Sequence, residues 1–108
     1  MDVWATSGDD IWAVGTLGKI FHFDGVTWSQ VPSGTTHPLH EIFGRGADDL
    51  WAVGGSFLDG EADLLHWDGS SWRRVEVPFN EPLGRVRTSP DGDVWVTGLM
   101  NSSLFHLR

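Results

Sequence analysis

Short segments in which apolar and polar residues alternate recur along the chain, and glycine, aspartate, serine or proline separates each segment from the next. Alternation with a period of two is typical of β-strands with one buried face, and β-branched and aromatic residues dominate these segments. Glycine or proline interrupts nearly every window of twelve residues, which argues against long helices. The pattern therefore predicts an all-β protein.

A motif in which an acidic turn leads into an apolar strand with a central tryptophan occurs three times. Its copies lie at residues 9–15, 48–54 and 92–98. Trp51 follows Trp12 by 39 residues, and Trp95 follows Trp51 by 44. Alignment of the flanking residues places the extra length of the second unit in one insertion, Ser56–Ala62, which we expect to be a solvated surface loop. The chain is therefore a repeat of about 40 residues.

Each complete unit predicts four strands with short connections, and the Asp-Gly pairs at 24–25 and 68–69 are typical of tight hairpins. The third unit ends after its third strand, predicted at Ser103–Leu107. Such units are typical of β-propeller blades, whereas a β-sandwich, the alternative, would not need its aromatic residues to repeat in register. We predict a single β-propeller segment over residues 1–108. Blade 1 covers 1–39, blade 2 covers 40–82, and a partial blade 3 without its last strand covers 83–108.

Three strings carry a family resemblance. They are Asp-Asp-Ile-Trp-Ala-Val-Gly at 9–15, Lys-Ile-Phe-His-Phe-Asp-Gly-Val-Thr-Trp at 19–28 and Ser-Gly-Thr at 33–35. Together they resemble bacterial β-propeller repeat proteins of the Asp-box and photosystem-assembly-factor type. The resemblance implies a propeller fold and a secreted or cell-surface location, and it carries over no catalytic residue. The string Trp-Asp-Gly-Ser-Ser-Trp at 67–72 is more loosely similar to small oligomeric propeller lectins, which implies carbohydrate binding.

The composition narrows the range of partners. The net charge is −8, from 15 acidic and 7 basic residues, which disfavours nucleic acid and anionic membranes. There is no cysteine, so disulfides and thiolate metal sites are excluded. No apolar run approaches the roughly 18 residues of a membrane helix, and the first residues lack the pattern of a signal peptide. We expect no cofactor, and the sequence leaves the compartment open.

One histidine occupies the same position in each unit: His22, His66 and His106. Because whole blades would separate them, they could not share a metal ion at a ligand distance of about 2 Å. We expect each ring to bind a turn or the region of Asp24 and Asp68 instead. Acidic residues also precede each tryptophan strand. They could bind Ca²⁺, but hydrogen bonds to the local backbone are the simpler interpretation, and we predict no metal site.

Five tryptophans recur at two positions of the repeat, which predicts that they form the core between blades. They are Trp12, Trp51 and Trp95 on the second strand, and Trp28 and Trp72 on the fourth.

Two positions on the first strand, by contrast, differ between the units and lie on one face of that strand. One holds Trp4, Phe43 or Arg87, and the other holds Asp2, Glu41 or Arg85. The first strand of a propeller blade is the innermost, so these residues predict a polar and aromatic rim for a sugar or peptide. The residues predicted to bind the ligand are Trp4, Glu41, Arg45, Arg85 and Arg87. The alternative is an ion pair between Glu41 and Arg85 of neighbouring blades.

The sequence shows no nucleophile–base pair, spaced carboxylate pair or metal cluster, so we do not expect an enzyme. A propeller needs at least four blades, so this segment belongs either to a longer propeller or to an assembly of copies. Two copies would give six blades with closed symmetry, and we favour such a homodimer. Two functions stay open: a module that binds carbohydrate or protein, or a structural segment of a larger surface protein without a ligand of its own.

Overall fold

The computed structural model describes residues 1–78, 80–99 and 104–107. The strands form three antiparallel sheets, of four, four and three strands, and each strand pairs with its neighbours in sequence. The all-β prediction and the order of the strands are therefore confirmed. Residues 100–103 and 108, which belong to the third unit and include the predicted start of its last strand at Ser103, lie outside the described residues.

The sheets follow one another along the chain. Sheet 1 contains β1 (Asp2–Ser7), β2 (Asp10–Val14), β3 (Ile20–Phe23) and β4 (Trp28–Val31). Sheet 2 contains β5 (Leu39–Gly46), β6 (Asp49–Ser56), β7 (Glu61–Trp67) and β8 (Trp72–Arg74). Sheet 3 contains β9 (Leu83–Thr88), β10 (Val94–Gly98) and β11 (Leu104–Leu107). One 3-10 turn, Thr16–Gly18, connects β2 and β3. Over the described ranges, no helix is long and apolar enough to cross a membrane.

The three sheets share one register. In each sheet, one row of cross-strand neighbours contains the tryptophan of the second strand and the histidine of the third. The rows are Trp4–Trp12–His22, Phe43–Trp51–His66 and Arg87–Trp95–His106. We call the face of each sheet that carries this row its front face, and the opposite face its rear face, because adjacent residues of a strand point to opposite sides.

The Asp-Gly hairpins form as predicted. The Asp24 carboxylate accepts hydrogen bonds from the N–H groups of Val26 and Thr27, both at 2.9 Å, and Asp68 does the same for the N–H groups of residues 70 and 71. These backbone hydrogen bonds stabilise the ionised carboxylates, so the pKa of Asp24 is lowered and that of Asp68 falls to about 2. The glycine that follows each aspartate has a positive φ, 99° for Gly25 and 101° for Gly69, which a residue with a Cβ rarely adopts.

The insertion is a solvated loop, as predicted, only in its central part. β6 runs to Ser56 and β7 begins at Glu61, so Ser56, Glu61 and Ala62 lengthen the hairpin, while residues 57–60 form its turn. Ala62 is buried. The extra backbone continues the hydrogen-bonded ladder between β6 and β7, which accounts for its strand conformation.

Two apolar cores hold the sheets together, and in each the front face of one sheet packs on the rear face of the next. We call such a contact a junction. The first junction joins the front face of sheet 1 to the rear face of sheet 2 and contains Trp12, Val14, Ile20, Ile42, Leu50, Ala52, Leu65 and Trp72. The second joins sheet 2 to sheet 3 in the same way and contains Trp51, Val53, Leu64, Leu83, Val86, Val94 and Val96. Burial of these side chains supplies the main force that stacks the sheets.

The prediction of a tryptophan core is correct for three residues and wrong for two. Trp12, Trp51 and Trp72 are buried, whereas Trp28 is 52% exposed and Trp95 is 38% exposed. Trp28 lies on the rear face of sheet 1 and Trp95 on the front face of sheet 3. No sheet within the described residues covers either face, which accounts for their exposure.

Candidate functional site

Each sheet carries the same group of three side chains. The histidine ring stacks on the neighbouring tryptophan, with ring centroids 3.9–4.2 Å apart, and its Nε2 lies 2.5–3.1 Å from an aspartate at the start of the second strand. The groups are Trp12–His22–Asp10, Trp51–His66–Asp49 and Trp95–His106–Asp93. The repeated histidines therefore have structural contacts, as expected. The expectation that these rings bind the region of Asp24 and Asp68 is wrong, because their hydrogen-bond partners are Asp10, Asp49 and Asp93. These three aspartates belong to the acidic residues that precede each tryptophan strand and that we considered as Ca²⁺ ligands.

Asp10 illustrates the electrostatics of this group. Partial burial favours the protonated form of its carboxyl, but the hydrogen bonds from Thr6 and His22 outweigh burial and lower the pKa of Asp10. The carboxylate is therefore ionised at neutral pH and holds the imidazole in place against Trp12.

A carboxylate on the first strand links each sheet to the next. Asp2 Oδ2 accepts a hydrogen bond from the backbone N–H of Ile42 at 3.0 Å, and Glu41 Oε1 accepts one from the N–H of Val86 at 2.7 Å. The two acids occupy equivalent positions, and so do the two donors. One contact is thus repeated at both junctions, and we call it the junction bond. Arg85 holds the equivalent position in sheet 3 and has no oxygen that could accept such a bond.

Three of the predicted ligand residues, Trp4, Glu41 and Arg87, come together on the first strands of the three sheets. The rings of Trp4 and Phe43 lie 4.7 Å apart, and the Arg87 guanidinium lies 4.8 Å from the centre of the Phe43 ring. Arg87 also donates a hydrogen bond to Glu41 at 2.8 Å. Phe43, which was not predicted as a ligand residue, connects the others. The alignment of the three units already showed its position, because Phe43 is the residue of sheet 2 that is equivalent to Trp4 of sheet 1 and Arg87 of sheet 3.

The other two predicted ligand residues, Arg45 and Arg85, behave differently. Arg45 donates to Asp49 at 2.7 Å and to the Ser89 carbonyl at 3.3 Å, so it joins the turns of sheets 2 and 3 away from the aromatic row. Arg85 is exposed. The predicted ion pair between Glu41 and Arg85 is wrong, because Arg87 is the residue that pairs with Glu41.

Sequence reasoning missed a polar cluster around His37. Asp63 is fully buried, and its carboxylate accepts hydrogen bonds from the Thr35 hydroxyl at 2.8 Å, from His37 Nδ1 at 2.9 Å and from Arg74. The other ring nitrogen of His37 lies 2.9 Å from Asp59 in the insertion. Two sequence features could have pointed to this cluster, the acidic insertion and the Ser-Gly-Thr string before His37. They become neighbours only in the folded chain.

Carboxylates on both sides of the ring determine the charge of His37. Burial by itself favours the neutral imidazole, but the hydrogen bonds to Asp63 and Asp59 outweigh burial and raise the pKa of His37. The cluster thus ties the insertion to the loop before β5 through both ring nitrogens of His37. His37, Asp59 and Glu61 also offer three possible metal-ligand atoms within 4.8 Å of one another, and a cleft of about 470 Å³ adjoins them. Since Asp59 and Glu61 are exposed, this grouping alone does not identify a metal site.

Comparison with protein-family models, with curated proteins and with solved structures found no match for this chain.

Proposed function

We propose that the chain is a non-enzymatic β-propeller module in which each sheet is one blade, and that the inner strands of the closed propeller bind a carbohydrate or protein ligand. The observation that carries this proposal is the repetition of one junction. The same faces pack and the same junction bond forms between sheets 1 and 2 and between sheets 2 and 3. Repetition of one step between successive units generates a ring when the rotation of the step closes, as in a propeller, whereas the two layers of a sandwich need only one interface.

The inner row of Trp4, Phe43 and Arg87 supports the location of the ligand. Aromatic faces pack against the apolar faces of sugars and peptides, and a guanidinium provides directed hydrogen bonds. Arg85 adds an exposed cation on the same face of its strand, two residues from Arg87. In contrast, each histidine of the repeat is committed to a tryptophan and an aspartate, which fits a binding module better than an enzyme.

An array of glycans and peptides tests the proposal, with Arg87→Ala as the site variant and Arg45→Ala as its matched control. Both arginines are exposed and paired with an acid, but only Arg87 belongs to the row. We expect the parent protein and the Arg45→Ala variant to bind the same ligand class. The Arg87→Ala variant should lose at least about tenfold in affinity, the typical effect of losing one charged hydrogen bond. Equal losses in the two variants would reject the row as the site.

One observation favours a second function, a structural segment without a ligand. Glu41 already accepts hydrogen bonds from Val86 and Arg87, so Arg87 of the inner row and its neighbour Glu41 are both partly occupied by contacts between sheets. The same array separates the two functions, because a structural segment would give no signal with any glycan or peptide class.

A further inference from the structure

The two outer faces of the chain carry exposed apolar residues at positions where the inner faces are buried. On the rear face of sheet 1, Val3 is 56% exposed, whereas Ile42, its equivalent in sheet 2, is buried. On the front face of sheet 3, Leu104 is 61% exposed, whereas Ile20, its equivalent in sheet 1, is buried. Trp28 and Trp95 belong to the same two faces. Apolar patches of this kind mark contact surfaces when their residues are contiguous.

The two uncovered faces correspond to the two sides of a junction. Within the chain, a front face always meets a rear face, and this pairing occurs twice. The uncovered pair consists of one front face, on sheet 3, and one rear face, on sheet 1. Each face therefore has the shape and chemistry that the other covers elsewhere in the same molecule. The internal junctions thus indicate which surface covers them.

We propose that a second copy of this chain supplies the covering surface, so that the front face of sheet 3 packs on the rear face of sheet 1 of the partner, and the reverse contact closes the ring. This proposal rests on the interpretation of the sheets as propeller blades. With three sheets in the described part of each chain, two copies give six blades, and six is the only multiple of three within the usual range of four to eight. A two-fold axis relates the copies, and the two closing junctions are identical.

The first junction shows how the tryptophans would meet. There, the Trp72 ring lies edge-on to Trp12, with centroids 5.7 Å apart. Trp28 is the equivalent of Trp72, and Trp95 is the equivalent of Trp12. In the closed ring, Trp28 of one copy takes the place of Trp72 against Trp95 of the other copy. Large aromatic side chains at the centre of such a contact contribute a disproportionate share of the binding energy.

The inner row is also continued across the closing junction. Trp4 packs on Phe43 and Phe43 on Arg87 at nearly equal spacings, 4.7 and 4.8 Å. The next position in a closed ring is Trp4 of the second copy, whose ring would cover the free side of the Arg87 guanidinium. A cation between two aromatic faces is a favourable arrangement.

The closing junction differs from the internal ones in the junction bond. Arg85 stands where Asp2 and Glu41 provide the carboxylate of the junction bond. The closing junction therefore lacks this bond to the N–H of Val3 in the second copy, and it should be the weakest of the three junctions. The Arg85→Glu variant would restore the carboxylate at a residue that is exposed in the single chain.

Sedimentation equilibrium over a concentration series tests the proposal with two charged variants, Trp28→Glu and Trp95→Lys. We expect the parent protein at about twice the 12.0 kDa of one chain, and each variant alone at the mass of one chain, with circular dichroism like that of the parent. A mixture of the two variants should return to twice that mass. In the mixed dimer, one closing junction contains both native tryptophans, and the other brings the introduced carboxylate of one variant against the introduced ammonium of the other. The control is Leu58→Glu, which charges a 98% exposed residue in the β6–β7 turn and should leave the dimer intact.

The alternatives give distinct masses. A parent protein that stays at the mass of one chain, or forms three-chain assemblies, overturns the proposal, and so does a folded variant that remains dimeric. A mixture that stays monomeric overturns the front-to-rear pairing.

Arg85→Glu provides a test that does not depend on the tryptophan variants. We expect at least about tenfold tighter association of the two chains, as for a gained charged hydrogen bond, and unchanged or weaker association contradicts the proposal. Ligand binding by a monomeric parent protein would refute the second copy and leave the inner row of Trp4, Phe43 and Arg87 as the proposed ligand site.

Discussion

The middle sheet and the two outer sheets carry tryptophan at equivalent positions, but the surroundings of these tryptophans differ. Trp72 on the rear face of sheet 2 is buried against Trp12, whereas Trp28 at the same position of sheet 1 is half exposed. In the same way, Trp51 on the front face of sheet 2 is buried and Trp95 on the front face of sheet 3 is exposed. A repeated sequence therefore specifies which face of a sheet is apolar, and the neighbouring sheet decides whether that face is buried.

The largest effect is expected when the two front-face tryptophans are compared directly. Trp51→Ala should lower the free energy of unfolding by about 3–5 kcal/mol, because it leaves a large cavity in the second core. Trp95→Ala should cost less than half as much in dilute solution, where the ring is partly solvated. Urea denaturation of both variants measures the difference. Equal losses would show that Trp95 is as well packed as Trp51 and would remove the distinction between covered and uncovered faces.

The next comparison concerns two equivalent glycines. A Cβ on Gly54 would lie 2.0 Å from the Pro38 carbonyl oxygen, while a Cβ on Gly15 would meet only the Met1 side chain, at 3.8 Å. Gly54→Ala should therefore cost about 1–3 kcal/mol, since backbone must move. Gly15→Ala should stay within about 0.5 kcal/mol of the parent protein. Thermal melts of the two variants would contradict this account if Gly15→Ala proved the more destabilising.

The junction bond gives a smaller but specific contrast. Glu41→Ala removes the acceptor from the N–H of Val86, a fully buried residue, and leaves that donor without its carboxylate. We expect a loss of about 1–2 kcal/mol, the usual cost of an unpaired buried donor, discounted because the Arg87 pair is partly exposed. Arg85→Ala changes the equivalent position of sheet 3 and should have almost no effect on a single chain. Chemical denaturation at low protein concentration measures both losses. Similar losses would contradict the statement that Glu41 makes a junction bond and Arg85 does not.

The smallest effect is a pH dependence of the middle sheet. The pKa of His37 in the folded chain is raised above its ordinary value of 6.5, so the stabilisation from this cluster is fully present below 6.5 and is lost as the pH rises through the raised pKa. The urea midpoint of the parent protein should fall over this interval. The His37→Gln variant should show a flatter profile there. A urea midpoint that rises with pH in the parent protein but not in the variant would contradict the predicted direction of the effect.

Most of the fold could be predicted from the sequence because the repeat is local. Alternation of apolar residues, the Asp-Gly turns and the threefold recurrence of the tryptophan strand predict the strand order and the shared register. The exposure of Trp28 and Trp95 could not be predicted in this way. Whether each ring is buried depends on the presence of a neighbouring sheet, and the sequence pattern of a single unit contains no information about that sheet.

The site was only partly predictable for a related reason. Variation between aligned units identified Trp4, Glu41 and Arg87, because the core needs recurrence and a site does not. It suggested a pair of Glu41 with Arg85 and missed the pair with Arg87, because the choice of partner depends on the spacing between sheets. His37 and Asp63 are far apart in sequence and do not belong to the repeat, so the cluster that they form was visible only in three dimensions.

The deciding quantity is the distance between the Trp28 ring of one chain and the Trp95 ring of another, measured in an experimental structure of the protein. We expect six sheets around a two-fold axis and a centroid separation close to the 5.7 Å between Trp72 and Trp12. An assembly in which Trp28 and Trp95 both remain in solvent, or pack on surfaces other than each other, would contradict this expectation.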